Sequence, residues 1–492
     1  MADKNLYERL GLTRDASPEE IRRAYRDLAR RLHPDANVNP GDTELFMGVQ
    51  EAFDRLSDQQ TRTSYDEGLP PEEKIQPPLV VSAIYSRSAL ARIIEPQLIY
   101  VLLGLDIKPE IEANIRPNLN ICLVLDCSTS MQGLRMDTVK ATAIELIRQL
   151  HPQDILSLVK FSDKAEVLIP AGAWVDKHAA EAKIQLLQAG GGTEIFQGLE
   201  KGFTEVRNYR SPNRINHVIL ITDGRTYGDE DQCVRLAEQA TAMGVAFSAL
   251  GIGSQWNDAF LDRLTSLTGG NSRFVSKPED LRRFILDKIS RLGRSFAEHV
   301  TYHFQTSENI ELTYAFRLQP DSSPLTTQNP LVLGSVPRDA SHNMLLEFTV
   351  KDLPPEVNRV NLATGRLTYE IPGNTDNPMF IERLDLSRPV KSDFDVEPPP
   401  PQLVQAISKL SLYRMQERAR EDMARGNPRE AGRRLQNLAT HLLAHGERDL
   451  ARSVLSEVAH IQQNQQFSEE GEKRIKYGTR SLMLPDKKDR KV

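Results

Sequence analysis

The stretch "LVLDCSTSMQG" (Leu123–Gly133) puts a carboxylate, a thiol and three hydroxyls into five consecutive residues, Asp126 to Ser130, just after an apolar run. "NICLVLD" (120–126) reads as a buried strand. "MDTVKATAIELIRQL" (136–150) reads as the following helix, with Val139, Ala143, Ile147 and Leu150 on its apolar stripe. The cluster therefore lies on a strand-to-helix loop, and open α/β sheets bind their ligands at the carboxyl ends of strands. Two later stretches bring oxygen donors to comparable places. "AGGGTEI" (189–195) is a Gly-rich loop before a helix, and "HVILITDGRT" (217–226) is another apolar strand, ending in Asp223. Short apolar runs alternate with amphipathic helices throughout 117–297. That rhythm predicts an α/β domain on a parallel sheet.

Asp126, Ser128, Ser130, Thr193 and Asp223 are hard oxygen donors, the set that suits Mg²⁺, or Mn²⁺ or Ca²⁺, with water completing the shell. A zinc site would call for His or Cys. A serine nucleophile would need a base beside it, yet no histidine lies in the three loops and GxSxG is missing. Walker A, GxGxxG and HExxH are missing too, so the expectation is a binding site and not an enzyme. If one carboxylate alone coordinates directly, the ion is undercompensated, and an external carboxylate can complete its shell.

The ordered set D-x-S-x-S, Thr, Asp resembles the metal-ion-dependent adhesion site (MIDAS) of von Willebrand factor type A domains. "DILSLVKFSD" (154–163) and "VAFSALGIG" (245–253) are similar to that family as well. The resemblance spans about 120–290. It implies a doubly wound, Rossmann-like fold whose bound Mg²⁺ accepts an acidic side chain from a protein partner.

The rest of the chain bounds the setting. Its 492 residues exceed what one core organises, so several domains are expected. With 39% hydrophobic and 26% charged residues and a net charge of −6, the composition is that of a globular protein and does not point to nucleic acid. Three cysteines without a CxxC pair fit a reducing compartment. The N-terminus does not read as a signal peptide, and "LIYVLLGLDI" (98–107) is about half the length that spans a bilayer. A soluble, cytoplasmic protein without a membrane partner is expected.

Proline-rich segments at 70–78 and 391–401 read as semi-rigid linkers. Residues 298–390 read as strands, with "LLEFTV" (345–350) and "RLTYEI" (366–371) alternating apolar and polar. The isolated strand-like stretch 97–108 needs partners. A β-sandwich built from 79–116 plus 298–390, with the α/β domain inserted, would supply them. Residues 402–466 read as a helical bundle, either a tetratricopeptide-like packing unit or a dimer contact, with Ala431, Leu435, Leu438 and Leu442 on one stripe. Ala451, Val454, Leu455 and Val458 form another, and 467–492 reads as a tail.

At the N-terminus, "SPEEIRRAYRDLARRLHPDAN" (17–37) opens with a capping box, Ser17 and Glu20, and Pro18 at the first helical position. Ile21, Tyr25, Leu28 and Leu32 form a stripe with arginines off it. Pro34 ends the helix. A second helix carries Phe46, Val49, Ala52, Phe53 and Leu56. "LYERLGL", "AYRDLARRLHPDAN" and "FMGVQEAFDRLSDQQTRTSYD" in this order resemble the J-domain of the DnaJ family, an all-α unit placed here at 1–69. The resemblance implies that His33, Pro34 and Asp35 stimulate ATP hydrolysis by a DnaK-type chaperone, with Arg22, Tyr25, Arg26 and Asn37 helping to dock it. No Gly/Phe-rich segment or cysteine repeat follows, so the client binding of the best-known members does not carry over.

The expected function is a J-domain adaptor that brings a DnaK-type chaperone to a partner held at the Mg²⁺ site. A linker of this length spans roughly 30 Å and gives a local concentration on the order of millimolar. The alternative is a von Willebrand type A scaffold for a protein complex, with an AAA-type ATPase as one candidate member and the J-domain secondary.

Overall fold

The computed structural model describes residues 6–10, 12, 16–32, 40–67, 77–109, 116–172, 176–224, 228–353, 356–374, 379–392 and 397–483. Most of the 70–78 segment and residues 393–396 of the second proline-rich segment lie outside the described residues.

The N-terminal unit comprises α1 (Leu6–Arg9), α2 (Pro18–Leu32), α3 (Pro40–Leu56) and α4 (Gln59–Glu67). The capping box forms: Ser17 N donates to Glu20 Oε2 at 2.7 Å and Glu20 N donates to Ser17 Oγ at 3.3 Å. Ile21, Ala24, Val49, Ala52 and Leu56 are buried between α2 and α3. Arg62 closes the unit by donating to the Ala16 carbonyl (2.7 Å) and to Tyr7 Oη (2.8 Å).

Three strands come before the α/β domain: β1 (Leu79–Tyr85), β2 (Leu90–Ala91) and β3 (Gln97–Ile107). Seven follow it: β10 (Ser295–Gln305), β11 (Ile310–Gln319), β12 (Ser323–Pro324), β13 (Leu331–Pro337), β14 (His342–Val350), β15 (Arg359–Glu370) and β16 (Met379–Lys391). They mix in two sheets, ordered β1-β3-β14-β11-β12 and β13-β10-β15-β16-β2. β3 is the centre of this exchange, antiparallel to β1 on one side and to β14 on the other, with Val101 opposite Leu346. Its inward residues Ile99, Val101, Leu103 and Leu105 are fully buried and meet Tyr302, Leu367 and Tyr369 of the other sheet.

Between β3 and β10 lies the inserted domain. Its elements are β4 (Asn118–Asp126), α5 (Leu134–Gln149), β5 (Ile155–Phe161), β6 (Ala165–Ile169), α6 (Lys177–Gln185), α7 (Ile195–Asn208) and β7 (Arg214–Thr222). They continue with α8 (Glu230–Ala242), β8 (Ala246–Ile252), α9 (Asp258–Leu267), β9 (Ser272–Val275) and α10 (Pro278–Leu292). The sheet order is β6-β5-β4-β7-β8-β9, parallel except for β6. Helices α5, α6 and α10 cover one face, and α7, α8 and α9 cover the other. Gly198 lets α7 approach the sheet, since a Cβ there would stand 2.7 Å from the Phe161 ring. The central strands β4 and β7 end side by side in Asp126 and, one residue past the strand, Asp223.

The C-terminal helices are α11 (Pro401–Ala424), α12 (Pro428–Ala444), α13 (Arg448–Asn464) and α14 (Glu469–Ser481). Ala431, Leu435, Leu438 and Leu442 are buried, as are Ala451, Val454 and Val458, but Leu455 is exposed. Leu403, Leu410 and Tyr413 of α11 cover the outer face of the first sheet at Phe316 and Leu345. The segment expected as a tail from 467 is instead helical through Ser481, and only 484–492 lie outside the described residues. α14 is capped by Ser468, whose Oγ accepts from Gly471 N at 3.0 Å. It docks through buried charges as well as through Ile475 and the Tyr477 ring, which lies against Trp256 and Phe274. Lys476 pairs with Asp258 and, at 2.7 Å, with Asp262, while Arg480 reaches Asp262 at 2.9 Å. Burial alone would raise the Asp262 carboxyl, but Arg480 and Lys476 outweigh it and hold it far below the usual carboxylate range. Arg317, 4% exposed, seals the other seam by donating to the carbonyls of Gly269 (2.9 Å), Gly270 (2.6 Å), Asp321 (3.0 Å) and Leu333 (3.1 Å).

Candidate functional site

Asp126 ends a strand buried on both faces, so its carboxylate emerges at the sheet's carboxyl edge with its side chain enclosed. Oδ1 accepts from Ser128 N at 2.8 Å, and Oδ2 accepts from Thr222 Oγ1 at 2.6 Å. Burial pushes this carboxyl above its ordinary range, and the two hydrogen bonds oppose that push. Ser128 Oγ lies 3.1 Å from Ser130 Oγ, and Ser130 Oγ donates to Asp223 Oδ1 at 2.6 Å. Four of the five expected ligands thus form one hydrogen-bonded chain from Asp126 to Asp223. Thr193 is brought to the same place: a Cβ on Gly224, the residue after Asp223, would stand 3.0 Å from Thr193 Oγ1. Ser130 is exposed while Asp126, Ser128 and Asp223 are buried, so the cluster opens to solvent on the Ser130 side.

The first loop is tied by backbone to the glycine loop and to the end of β5. Cys127 N donates to the Phe161 carbonyl (2.7 Å), Gly190 N to the Cys127 carbonyl (2.7 Å) and Thr129 N to the Gly191 carbonyl (3.1 Å). Two side chains not singled out from sequence complete the frame. Asp163 Oδ1 accepts from Gly192 N at 2.7 Å and holds the glycine loop. Arg135, at the start of α5, is ion-paired with Asp223 and donates to the Ser130 carbonyl at 3.2 Å. Asp163 follows an apolar strand in "VKFSD", the same pattern that marks Asp126 and Asp223, so it was open to discovery from sequence. Arg135 carried no such signal, because a charged residue in a first helical turn is ordinarily solvated.

The donor set fits a small hard divalent cation: two buried carboxylates and hydroxyl oxygens converge, with no imidazole among them. The Cys127 thiol is buried in the apolar core and pushed up to about 12 by that burial, so it stays a neutral filler.

In the N-terminal unit, Arg22 and Arg26 are exposed on α2, and Tyr25 is half-buried, its ring stacked on Phe53 at 4.1 Å. His33, Pro34, Asp35 and Asn37 lie outside the described residues. Among the described residues, no helix is long and apolar enough to cross a membrane.

Comparison with known proteins agrees with this division. Family models match at residues 5–66 (DnaJ domain), 120–290 (von Willebrand factor type A domain) and 401–485 (Sll0103-like, C-terminal alpha-helical domain). The chain therefore carries a DnaJ domain followed by a von Willebrand factor type A domain, with further β-sheets and a helical C-terminal domain. It is 27% identical over 378 residues to the uncharacterized protein sll0103 of Synechocystis sp., covering 75% of this chain and 89% of that one. The DnaJ domain is 58% identical over 66 residues to chaperone protein DnaJ 1 of Mycobacterium tuberculosis, and this match spans 17% of that protein's length. Among solved structures, a von Willebrand factor type A protein from Catenulispora acidiphila superposes with a TM-score of 0.64 at 16% identity, covering 84% of this chain and 99% of that one. The ArnB paralog VWA2 from Sulfolobus acidocaldarius does so with 0.54 at 16% identity, covering 83% and 98%. These two likenesses concern the fold.

Proposed function

We propose that the protein is a non-enzymatic adaptor: its DnaJ domain stimulates a DnaK-type chaperone, and its von Willebrand type A domain holds the partner to which that chaperone is directed. The observation that carries this reading is the joining, in one chain, of a DnaJ domain with exposed Arg22 and Arg26 to a convergent oxygen site formed by Asp126, Ser128, Ser130, Thr193 and Asp223. Exposed arginines on α2 suit an acidic chaperone surface, where they speed encounter and fix register. Asp126, Ser128, Ser130, Thr193 and Asp223 would hold a divalent cation such as Mg²⁺, which supplies a Lewis-acidic position for a carboxylate of the partner. The protein's own residues do the rest. Thr222 and Ser128 N fix the Asp126 carboxylate, and Asp163 fixes the glycine loop.

The test has two arms. Full-length protein is added to a DnaK-type chaperone and ATP turnover is measured beside the His33→Gln variant. Proteins retained from cell extract in Mg²⁺ are compared with those retained in EDTA and by Asp126→Ala. Stimulation lost in His33→Gln, and retention lost in both EDTA and Asp126→Ala, are the expected results. Unchanged stimulation in His33→Gln removes the co-chaperone role, and retention that survives EDTA and Asp126→Ala removes the cation bridge.

A further inference from the structure

The oxygen site has a resident cation of its own. Arg135 stands in the first turn of α5, its side chain 37% exposed, and forms an ion pair with the fully enclosed Asp223 side chain. The two oxygens of Asp223 are divided: Ser130 Oγ donates to Oδ1 at 2.6 Å, and the guanidinium takes Oδ2. The same Nη1 donates to the Ser130 carbonyl at 3.2 Å, so the arginine spans the first and third loops. Space for it is provided across the site by Gly253, which follows β8 with φ 69°. A Cβ there would lie 3.0 Å from Arg135 Nη2. Asp126, the other carboxylate of the chain, is held by neutral donors, Ser128 N and Thr222 Oγ1. Asp163 sits further out, on the backbone of Gly192.

We propose that Arg135 sets the charge of the loaded site and thereby favours a carboxylate as the ligand that completes it. This rests on the cation-site reading above. Asp126 and Asp223 contribute −2 and Arg135 contributes +1, so the site is −1 by itself and +1 with a divalent cation. A partner carboxylate then brings it to neutrality. Without Arg135 the loaded site is already neutral, and an added carboxylate leaves a net negative charge in an enclosed place. The arginine therefore weakens the bare cation and strengthens the anion, while the mutual enhancement of cation and carboxylate comes from their own attraction and is reciprocal. Arg135 is a specificity residue in this sense, selecting an anionic over a neutral oxygen ligand.

Calorimetric titration of the full chain with Mn²⁺, with and without a fixed, subsaturating concentration of acetate, tests this. In the wild type, acetate tightens Mn²⁺ binding several-fold. Arg135→Gln binds Mn²⁺ alone about tenfold more tightly, and its response to acetate falls under about twofold. Arg135→Lys keeps the charge and the wild-type pattern. An Arg135→Gln variant with wild-type Mn²⁺ affinity and acetate response overturns the proposal, and so does an Arg135→Lys variant that behaves like Arg135→Gln. Asp126→Asn is the control that separates the two readings. If the wild type binds no Mn²⁺, or Asp126→Asn binds it equally, the cation site falls and this inference with it. If the wild type binds Mn²⁺, Asp126→Asn does not, and Arg135→Gln changes nothing, the site stands and only the role of Arg135 falls.

Discussion

Replacing Asp126 by Asn separates what the proposed cation site costs from what it does. The Asp126 carboxylate is fully enclosed, lies near the Asp223 carboxylate and is held by two neutral donors. A buried charge without a counterion is destabilising. The carboxamide of the Asp126→Asn variant would keep the shape: its oxygen still accepts from Ser128 N, and the Thr222 hydroxyl can rotate to accept from its NH₂ group. The variant should therefore be more stable than wild type in EDTA. Relief of a functional site is typically worth about 0.5–2 kcal/mol, or roughly 1–8 °C in Tm for a domain of this size. The wild type should recover more than this with metal. Ligand at a hundred times Kd stabilises by about 2.7 kcal/mol, roughly 5–11 °C. The assay is thermal unfolding at pH 7.5 in EDTA and in a Mg²⁺ series. The expected pattern is a crossover: Asp126→Asn melts higher in EDTA and lower at saturating Mg²⁺. A variant that melts below wild type in EDTA, or keeps the Mg²⁺ response, would refute the reasoning.

Three further outcomes follow from particular contacts. Arg26→Ala, on the exposed face of α2, should raise the concentration needed for half-maximal stimulation of a DnaK-type ATPase by about tenfold without changing the melting curve; equal potency would remove Arg26 from the docking face. Asp262→Asn strips charge from Lys476 and Arg480, which are 3% and 4% exposed in their side chains, and should cost about 3–5 kcal/mol in urea unfolding. A loss below about 1 kcal/mol would mean the seam is held by its apolar contacts. Glu298 is 4% exposed and its Oε1 has no hydrogen-bond partner among the described residues; burial raises its carboxyl from 4.5 to about 7. Its folded value exceeds its unfolded value, so its stabilising contribution is complete below 4.5 and is lost as pH rises through 7. Glu298→Gln should flatten that slope and gain about 3 kcal/mol at pH 8, and an unchanged slope in denaturant unfolding across pH 5–8 would place the titration elsewhere.

Local pattern was enough for much of this protein. The Ser17–Glu20 box, the stripe of α5 and the strand-ending positions of Asp126 and Asp223 all depend on residues within a turn or two of one another, and the structure shows each. The oxygen donors were legible for the same reason, because a carboxylate at the end of a buried strand has one place to go. The docking of α14 was not. "EEGEKRIKYGTRS" is charged enough to read as solvated, and its helix becomes a seam only because Asp258 and Asp262 arrive from more than 200 residues away to pair with Lys476 and Arg480. Burying those charges is unfavourable until the partners are in place, so the decision belongs to the tertiary structure. Arg317 is likewise enclosed by four carbonyls from three parts of the chain. Arg135 is the same case at the site itself: it precedes the helix read from sequence, and only the folded chain brings it against Asp223 and Gly253. Sequence determined the elements and the placing of oxygen donors at the strand ends, since these follow from short-range periodicity. Tertiary structure decided which charges are enclosed, since that depends on partners that only the folded chain brings within reach.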